Sequence, residues 1–359
     1  MKEIRVTSKE AGQRLNKFLG RIMPEAGTGF LYKMLRKKNI TLNEGKADGS
    51  EIVREGDVVR VFFSDETFAK MSGQASAPSA IGLMALHPVG EEQIVYEDDT
   101  LMAVYKPAGV LSQQDDSRAE SLNEQVLQYL INRGDVTAES MRSFKPGICN
   151  RLDRNTAGIV WFAKTLQGAQ GMATALRDRI PGKYYFALLM GNLEKEYDAH
   201  CYLTKNEETN TVKITNEPLS DKSEAVHTKV TPVIANRRVT LARIRLYTGK
   251  SHQIRSVCKY LGYPVLGDPK YTPEGTELTK LLSYFRAKYH VHGQQLFAYA
   301  YTFPETVPEG LSELAGETIT GIVPEEFAEI LLGEFPKEVS GKEDVDGYLE
   351  IPGPAGLPV

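Results

Sequence analysis

The chain has 359 residues and a formal net charge of −4, and its 41% hydrophobic and 25% charged residues are typical of an ordinary soluble protein with one or two domains. Its three cysteines are widely spaced, which excludes a full disulfide framework and a close pair of zinc ligands. The N-terminus lacks the apolar core of a signal peptide and no apolar run approaches the length of a membrane span, so we expect a cytoplasmic protein without a membrane partner.

Charge is distributed unevenly along the chain. Residues 1–64 contain 13 basic and 8 acidic residues, whereas residues 305–359 contain 2 basic and 13 acidic residues. A basic body with an acidic extension favours a nucleic-acid partner for the body.

The first 64 residues predict a compact module of two helices and a small sheet. An apolar stripe at helical spacing runs from Leu15 to Ile22, and a second one begins at Phe30 and ends in the basic corner Arg36–Lys38. A short strand at Ile40–Leu42, a turn, and the strand pattern G-D-V-V-R-V complete the module.

This module resembles the alpha-L RNA-binding domain of a small-subunit ribosomal protein and of several RNA-modifying enzymes. The resemblance rests on R-L-N-K-F-L, the basic corner and E-G-D-V-V-R-V, and covers most of residues 12–63. It implies a small α/β RNA-binding domain over residues 1–64, whose phosphate-contacting residues would be Arg14, Lys17, Lys33, Arg36, Lys37 and Lys38. The alternative is that these residues only solvate helix ends and complement the helix dipole.

Residues 65–87 are rich in Ser, Ala and Gly without consistent periodicity, which predicts a flexible linker. A second domain is predicted over residues 88–304, with Ser121–Glu124 forming a capping box at the start of a helix. Its repeated hairpins predict an α+β fold with a largely antiparallel or mixed central sheet and flanking helices. The predicted strands lie at 94–96, 101–105, 159–163, 183–190, 226–234 and 239–247, and further helices lie at 166–179 and after 249.

The last segment, residues 305–359, is predicted to be an acidic extension. Its composition shifts to Glu, Pro and Gly, with one possible short helix at Pro324–Leu332. The end, I-P-G-P-A-G-L-P-V, is predicted to be disordered because it has little apolar surface to bury. We expect the extension to be a solvating segment; the alternative is a role in excluding non-cognate RNA.

The most informative pattern is C-N-R-L-D-R-N-T-A-G-I-V-W-F-A-K-T at residues 149–165. Asp153 stands between Arg151 and Arg154 and precedes a small-residue turn and an apolar strand. Nearby positive charges favour an ionised carboxylate, which makes Asp153 a candidate nucleophile or base beside groups that bind phosphate. The alternative is a loop aspartate in a surface ion pair.

The sequence predicts no nucleotide cofactor and no metal. Gly249-Lys250-Ser251 is not a phosphate-binding loop, because Ile244 occupies the position that requires another glycine. No Gly-x-Gly-x-x-Gly motif follows a strand. His252 has no second histidine at helical spacing, so a structural role or a substrate contact is expected rather than a metal site.

Four segments resemble, in order and approximate spacing, the motifs of the RluA-type pseudouridine synthases. P-G-I-C-N-R-L-D-R-N-T-A-G resembles the family's catalytic loop, P-G-I-V-H-R-L-D-x-x-T-S-G. The others are K-P-A-G-V-L, G-K-Y-Y-F-A-L-L-M-G, and T-G-K-S-H-Q-I-R followed by L-G-Y-P-V-L-G-D-P-K-Y, and together the matches span about residues 104–271. Asn150 and Ala157 replace the usual histidine and serine, which affects the surroundings of the nucleophile rather than the nucleophile itself.

The resemblance implies the pseudouridine synthase fold and the isomerisation of uridine to pseudouridine without cofactor or metal. Asp153 would be the catalytic carboxylate, acting on the sugar or removing its 2′ hydrogen, and Arg255 would pair with it. Tyr185 would stack on the uracil and assist removal of the C5 proton, while Tyr184 would face the other side of the strand.

The same resemblance names five candidate substrate-binding residues. Arg151 would fill the space left by the flipped nucleotide, or alternatively contact a phosphate. Ile254 would pack in the base pocket, and Lys183, His252 and Lys106 lie in the matching motifs.

The predicted partner is structured RNA, foremost large-subunit ribosomal RNA. The alternatives are a tRNA-modifying enzyme and a non-catalytic RNA-binding or ribosome-assembly factor on the same fold. A monomer is expected.

Overall fold

A computed structural model of the protein describes residues 1–8, 10–72, 87–115, 119–137, 140–206, 209, 211–339 and 347–351. Within this part of the chain, the N-terminal module contains β1 (Lys2–Arg5), α1 (Leu15–Ile22), α2 (Thr28–Arg36), β2 (Ile40–Leu42), β3 (Gly45–Lys46), β4 (Val58–Val61) and α3 (Asp65–Met71). The sheet is antiparallel, with strand order β1-β4-β2-β3. The helices α1 and α2 and the strand β2 lie where their patterns predicted them, and the apolar stripe of α1 is buried.

The linker prediction is wrong for its first residues. Residues 65–71 form α3, which Ser64 caps by accepting a hydrogen bond from the Thr67 backbone N–H. Phe68 is buried in the core of the N-terminal module, so α3 extends that module beyond residue 64. Only Phe68 and Met71 of this short helix pack against the core, which is too few apolar residues to give a periodic signal. Residues 73–86 of the predicted linker lie outside the described residues.

The second domain is built on a large mixed sheet. Its described elements are β5 (Ile94–Glu97), β6 (Leu101–Lys106), α4 (Leu122–Arg133), α5 (Ser140–Ser143), β7 (Gly147–Ile148), β8 (Ala157–Ala163), α6 (Leu166–Arg177), β9 (Gly182–Met190), β10 (Tyr197–Asn206), β11 (Thr211–Thr215), β12 (Glu224–Ala235), β13 (Val239–Leu246), α7 (Gln253–Tyr260), α8 (Glu277–Tyr289), β14 (Leu296–Thr302), β15 (Thr318–Thr320) and α9 (Glu325–Glu334). None of the helices in the described ranges has both the length and the apolar character that a bilayer crossing requires.

The strand order is β11-β10-β12-β13-β9-β14-β8-β6-β5, with β15 on β14 and β7 on β8. The β14–β8 pair is parallel and the other pairs are antiparallel. This confirms the predicted α+β fold with a mixed, largely antiparallel sheet and flanking helices.

The central strands β8 and β9 are apolar over nearly their whole length because both faces of the sheet are covered there. Alternate residues of β9 enter different cores: Tyr184 packs with Phe186 on one face, and Tyr185 packs with Ala187 on the other. The predicted opposite orientation of Tyr184 and Tyr185 is therefore confirmed, since side chains of a strand alternate between faces.

At the start of α4, Ser121 occupies the N-cap position, but its hydroxyl contacts the Glu124 carboxylate rather than a backbone N–H. Neither backbone hydrogen bond of a capping box is formed here, so the predicted capping box is wrong, although the helix begins at the predicted position. The Asn123 side chain accepts a hydrogen bond from the Ile148 backbone N–H, which ties the helix to β7.

The acidic segment after residue 304 is not a separate extension, which corrects the predicted domain boundary. Strand β15 pairs with β14, and the apolar face of α9 (Phe327, Ile330 and Leu331) enters the main core. The predicted short helix is thus present, but it packs instead of remaining solvated. The acidic residues on the exposed side of the helix dominate the composition of this segment, which is why the apolar face was not recognised from the sequence. Of the end predicted to be disordered, residues 351–359, Ile351 packs against the main core, and residues 352–359 lie outside the described residues.

A buried carboxylate fastens α9 to the domain. The Glu334 carboxylate is fully buried and accepts hydrogen bonds from Arg238 Nε at 2.7 Å, Tyr289 OH at 2.8 Å, Tyr284 OH at 2.9 Å and Lys288 Nζ at 3.1 Å. Because every donor comes from outside α9, these bonds join three parts of the chain.

Candidate active site

Asp153 lies in the loop that leads into β8, and Gly158 fixes the path of that strand. Gly158 has φ +119°, and a Cβ there would lie 2.2 Å from the Ala298 carbonyl oxygen of the parallel strand β14. A glycine is therefore required where β8 leaves the loop. The turn before it is closed by a 3.0 Å hydrogen bond from the Thr156 N–H to the Asp153 carbonyl oxygen.

The loop after β6 holds the Asp153 loop on both sides of the carboxylate. Gly109 N–H donates to the Arg154 carbonyl at 2.9 Å, and Arg154 Nε donates to the Gly109 carbonyl at 2.9 Å. Ser112 Oγ donates to the Leu152 carbonyl at 2.9 Å and accepts from the Leu152 N–H at 3.0 Å. These two reciprocal pairs hold the backbone that carries Asp153.

Lys106 has a supporting position instead of the predicted contact with substrate. It is fully buried, and its Nζ donates to the carbonyl oxygens of Pro107 at 2.9 Å, Val110 at 2.7 Å and Arg154 at 2.9 Å. All three ammonium protons are thus used within the protein. Burial lowers the pKa of Lys106 to about 7, with the Asp153 charge acting in the opposite direction.

Arg255, in the first turn of α7, joins two carboxylates. Its Nη1 donates to Asp153 Oδ2 at 3.0 Å, while Nε and Nη2 form a bidentate pair with Asp268 at 2.7 and 2.9 Å. Burial opposes the charged form of Arg255, but the hydrogen bonds and charges of Asp268 and then Asp153 raise its pKa above the ordinary value. Arg255 is buried, and the predicted pairing with Asp153 is present.

Asp268 was not predicted as a site residue, although it lies in the quoted G-D-P-K-Y segment. It is fully buried, and its Oδ1 also accepts from the backbone N–H groups of Lys270 and Tyr271 at 2.9 and 3.2 Å. Gly267 permits this turn: it has φ +78°, and a Cβ would lie 2.0 Å from the Gly293 carbonyl oxygen. Asp268 therefore fixes the guanidinium of Arg255 in one plane.

His252 also approaches the Asp153 carboxylate, at the same oxygen that Arg255 contacts. Its Nε2 lies 3.9 Å from Asp153 Oδ2, and its Nδ1 lies 3.0 Å from the hydroxyl of Tyr271. Burial lowers the pKa of His252, and the charge of Asp153 opposes that effect. Both the predicted structural role and a place at the site are therefore consistent with its position.

Asp153 opens into a cavity of about 890 Å³, a volume within the usual range for small-molecule sites. Six of the predicted residues line this cavity with Asp153: Arg151, Lys183, Tyr185, His252, Ile254 and Arg255. Lys106 is not in its lining.

The charged lining of the cavity is strongly basic. Among the described residues it contains one carboxylate, that of Asp153, and seven Lys or Arg side chains: Arg151, Arg154, Lys183, Lys205, Lys250, Arg255 and Lys270. Lys205, Lys250 and Lys270 were not predicted, because the sequence does not show that their loops meet. A basic lining around a single carboxylate suits a polyanionic substrate.

Two departures from the family motif have clear structural settings. Asn150 accepts a hydrogen bond from the Trp161 N–H at 2.7 Å and donates to Tyr301 OH at 3.1 Å. Tyr301 lines the cavity, so Asn150 positions part of its wall. Ala157 is buried in the core beside β14, where it makes no polar contact with the site.

In the N-terminal module, all six predicted RNA-binding residues are exposed. Arg14 precedes α1 and Lys17 lies within it; the others lie on α2 or in the turn that follows it. Arg21 is also exposed, at i+7 from Arg14, and extends this basic face beyond the predicted set.

Comparisons with known proteins agree with this geometry. Residues 100–260 match the family model described as RNA pseudouridylate synthase. The ribosomal large subunit pseudouridine synthase C of Rickettsia conorii is 30% identical over 264 residues, which cover 72% of this chain and 82% of that protein. The protein of the same name from Vibrio cholerae is 28% identical over 271 residues, covering 73% and 77%.

A solved structure shows the same fold. Human RNA Pseudouridylate Synthase Domain Containing 4 has a TM-score of 0.52 at 19% identity and covers 70% of this chain and 94% of that chain. The basic cavity around Asp153, the matching motifs and the relatives lead to one conclusion. The chain belongs to the RluA-type pseudouridine synthase family and is an isomerase.

Proposed function

We propose that this protein isomerises uridine to pseudouridine in large-subunit ribosomal RNA, with Asp153 as the catalytic carboxylate. The observation that carries the proposal is the Asp153–Arg255 ion pair inside a cavity whose other charged lining residues are all Lys or Arg. The relatives named ribosomal large subunit pseudouridine synthase C support the choice of RNA. We place the reaction in the cytoplasm and assign it to a monomer.

The reaction breaks the N1–C1′ bond of uridine, turns the base and forms a bond from C5 to C1′. Asp153 Oδ2 accepts the hydrogen bond from Arg255. Among the described residues no hydrogen bond to the other carboxylate oxygen, Oδ1, is seen, so Oδ1 is the oxygen available to the ribose. Attack on C1′ and removal of the 2′ hydrogen both require such an oxygen. Arg255 holds its orientation and stabilises its charge.

Tyr185 forms the wall of the cavity on which the uracil stacks. Burial, together with the Asp153 charge, raises the pKa of Tyr185 well above its usual range. Its phenol therefore stays neutral at physiological pH. This makes stacking and proton relay, rather than action as a phenolate base, the role we assign to it.

The target nucleotide must leave its stack to reach Asp153, which costs a few kcal/mol. Arg151 is exposed and lines the cavity, where its guanidinium can occupy the vacated position or hold a phosphate. The exposed basic residues of the N-terminal module supply further phosphate contacts that raise affinity without reading sequence.

The test is tritium release from ribosomal RNA that carries 5-tritiated uridine. Wild-type protein should release label and Asp153→Asn should not, while both bind the RNA equally. Asp178→Asn is the matched control, because Asp178 is an exposed aspartate in a surface ion pair with Arg177 and lies outside the cavity lining. Label release by Asp153→Asn at the wild-type rate would contradict the proposal.

Substrate choice needs a separate measurement. Pseudouridines should be mapped in ribosomal RNA and tRNA from cells with and without the gene. A site missing only from large-subunit ribosomal RNA is expected. A site missing only from tRNA would replace the proposed substrate while leaving the chemistry intact.

A further inference from the structure

A second cluster of ligating side chains lies on β10 and β12, away from Asp153. Asp198 and His200 are two residues apart on β10, and His227 on β12 pairs directly with His200. Side chains two apart on a strand share a face, and directly paired residues of neighbouring strands are adjacent on it. The three side chains therefore form a triangle on one surface of the sheet.

This surface is opposite the face that carries the catalytic cavity. On β9, β13 and β12, Tyr185, Ile244 and Val230 belong to the core on the cavity side. The residues that alternate with them, Tyr184, Arg245 and Lys229, point to the other face, which is the face of the cluster. The cluster is thus not part of the proposed active site.

The ligand atoms of the cluster are close enough for one ion. His227 Nε2 lies 2.6 Å from Asp198 Oδ1, His200 Nε2 lies 3.8 Å from the same oxygen, and all three ligand atoms lie within 4.8 Å of one another. Zinc bonds to nitrogen and oxygen are about 2.0–2.2 Å long, so the donors of a tetrahedral site are about 3.4 Å apart. Because an imidazole binds a metal in its ring plane, the exposed His200 ring would turn out of its stack on His227 to bring the three atoms to that spacing.

The surroundings hold one ligand still and leave another free to adjust. The His227 ring is stacked between those of His200 and Tyr247, each at a centroid distance of 3.8 Å. His227 has 25% side-chain exposure, whereas His200 has 68% and Asp198 has 53%. The more exposed histidine can turn toward an ion beside the stacked one, and water can complete the coordination.

The donor types decide which ion fits. Calcium and magnesium prefer oxygen ligands, whereas two imidazoles and one carboxylate suit zinc and similar transition metals. The neighbouring Arg245 and Lys229 also disfavour calcium and magnesium, which are bound mainly through the negative charge of their ligands. Arg245 lies 4.5 Å from the centre of the Tyr247 ring, and Lys229 is offset by its 2.8 Å ion pair with Glu196.

We propose that Asp198, His200 and His227 form a zinc-binding site with open coordination positions on the sheet face remote from the cavity. An ion there would replace the proton between His227 Nε2 and Asp198 Oδ1 and join β10 to β12. The site is independent of the isomerisation at Asp153. This site was not predicted from the sequence, because His200 and His227 are 27 positions apart and meet only through strand pairing.

The proposal is tested on the full chain after removal of metal by a chelator and dialysis. Calorimetric titration with ZnCl₂ should show one site per chain in the wild type. In His200→Ala and in Asp198→Asn the affinity should fall more than about 10-fold, since the loss of even an outer-sphere partner of a metal site has such an effect. Cobalt(II) should give a visible absorption band in the wild type that His200→Ala lacks.

His87→Ala is the matched control, because His87 is an exposed histidine beside one carboxylate, that of Glu120. It should retain wild-type zinc affinity. Thermal unfolding separates binding from misfolding: without metal, all variants should melt like the wild type, and zinc should raise Tm only where the three ligands are intact. Absence of stoichiometric binding in the wild type, or equal affinity in His200→Ala, would overturn the site.

Discussion

The N-terminal module and the catalytic domain place their charges in opposite ways. The six basic residues proposed to bind RNA in the module are all exposed, whereas Arg255, Asp268 and Lys106 at the active site are buried. Exposed charges attract a polyanion over a Debye length and are screened by salt. Buried charges depend on hydrogen-bonded partners at fixed positions. Substitutions in the N-terminal module should therefore change the salt dependence of RNA binding. Substitutions of the buried charges at the active site should change the stability of the fold and the rate of the reaction.

The largest effect is expected from Asp268→Ala, which removes the main partner of buried Arg255. Breaking a buried ion pair by deleting one partner costs about 3–5 kcal/mol, so urea unfolding should show a loss of that size. Asp178→Ala, in the exposed Arg177 pair, should leave the unfolding midpoint unchanged. An unchanged midpoint for Asp268→Ala would show that the buried pair does not stabilise the fold.

Arg255→Lys should spare binding and reduce chemistry. A lysine cannot hold Asp268 with a bidentate pair and Asp153 with a third N–H at once, so the carboxylate loses its orientation. The single-turnover rate at saturating RNA should fall about 10²-fold. Arg177→Lys serves as control and should keep the wild-type rate. A fall in RNA affinity with an unchanged rate would instead assign Arg255 to binding.

Glu334→Gln tests the buried carboxylate that fastens α9. Burial alone would raise the pKa of Glu334, but the donors Tyr289, Arg238, Tyr284 and Lys288 lower it below the ordinary value. A lowered pKa stabilises the fold above the unfolded value of 4.5, and this contribution is lost as pH falls through the folded pKa.

The Gln variant should therefore lose about 1–3 kcal/mol at neutral pH and show a flatter stability profile below pH 4.5. Urea unfolding at a series of pH values measures both effects. Glu274→Gln, at an exposed position, should follow the wild-type curve. Parallel curves for Glu334→Gln and wild type would rule out this ionisation as a source of acid lability.

The smallest effect is expected in the N-terminal module. Lys37→Ala should weaken RNA binding uniformly and reduce the slope of log affinity against log salt by roughly 1, without changing the single-turnover rate. Fluorescence anisotropy over a KCl series measures this slope. Arg60→Ala is the control, since Arg60 already pairs with Glu3 and Glu44. Equal slopes for both variants would remove Lys37 from the RNA-contacting set.

The sequence predicted elements whose pattern is local. The apolar stripe of α1 and the continuous apolar run of β8 both appear as expected. The strands β10 and β11 and the helix α8 were not predicted, because their burial depends on neighbours distant in sequence. In α9, acidic residues concealed an apolar face that packs only when the sheet has formed.

The site shows the same division. Asp153 and Arg255, 102 positions apart, could be paired only through resemblance to a family, since no local pattern joins them. Asp268 was present in a quoted motif, but its bidentate contact with Arg255 depends on a turn that only the fold reveals. Lys106 was misassigned because sequence cannot distinguish a lysine that contacts substrate from one that binds backbone carbonyls.

The packing of α9 in the main core also bears on synthesis of the protein. Phe327, Ile330 and Leu331 cover the same apolar cluster as Phe186 and Phe297, and Leu349 is also buried in it, so that cluster is incomplete until about residue 351 has left the ribosome. The N-terminal module, complete by Met71, has no such dependence and can fold while translation continues. A stalled nascent chain would then carry a folded N-terminal module followed by an incompletely folded catalytic domain. The exposed apolar surface of that domain is what chaperones would have to protect.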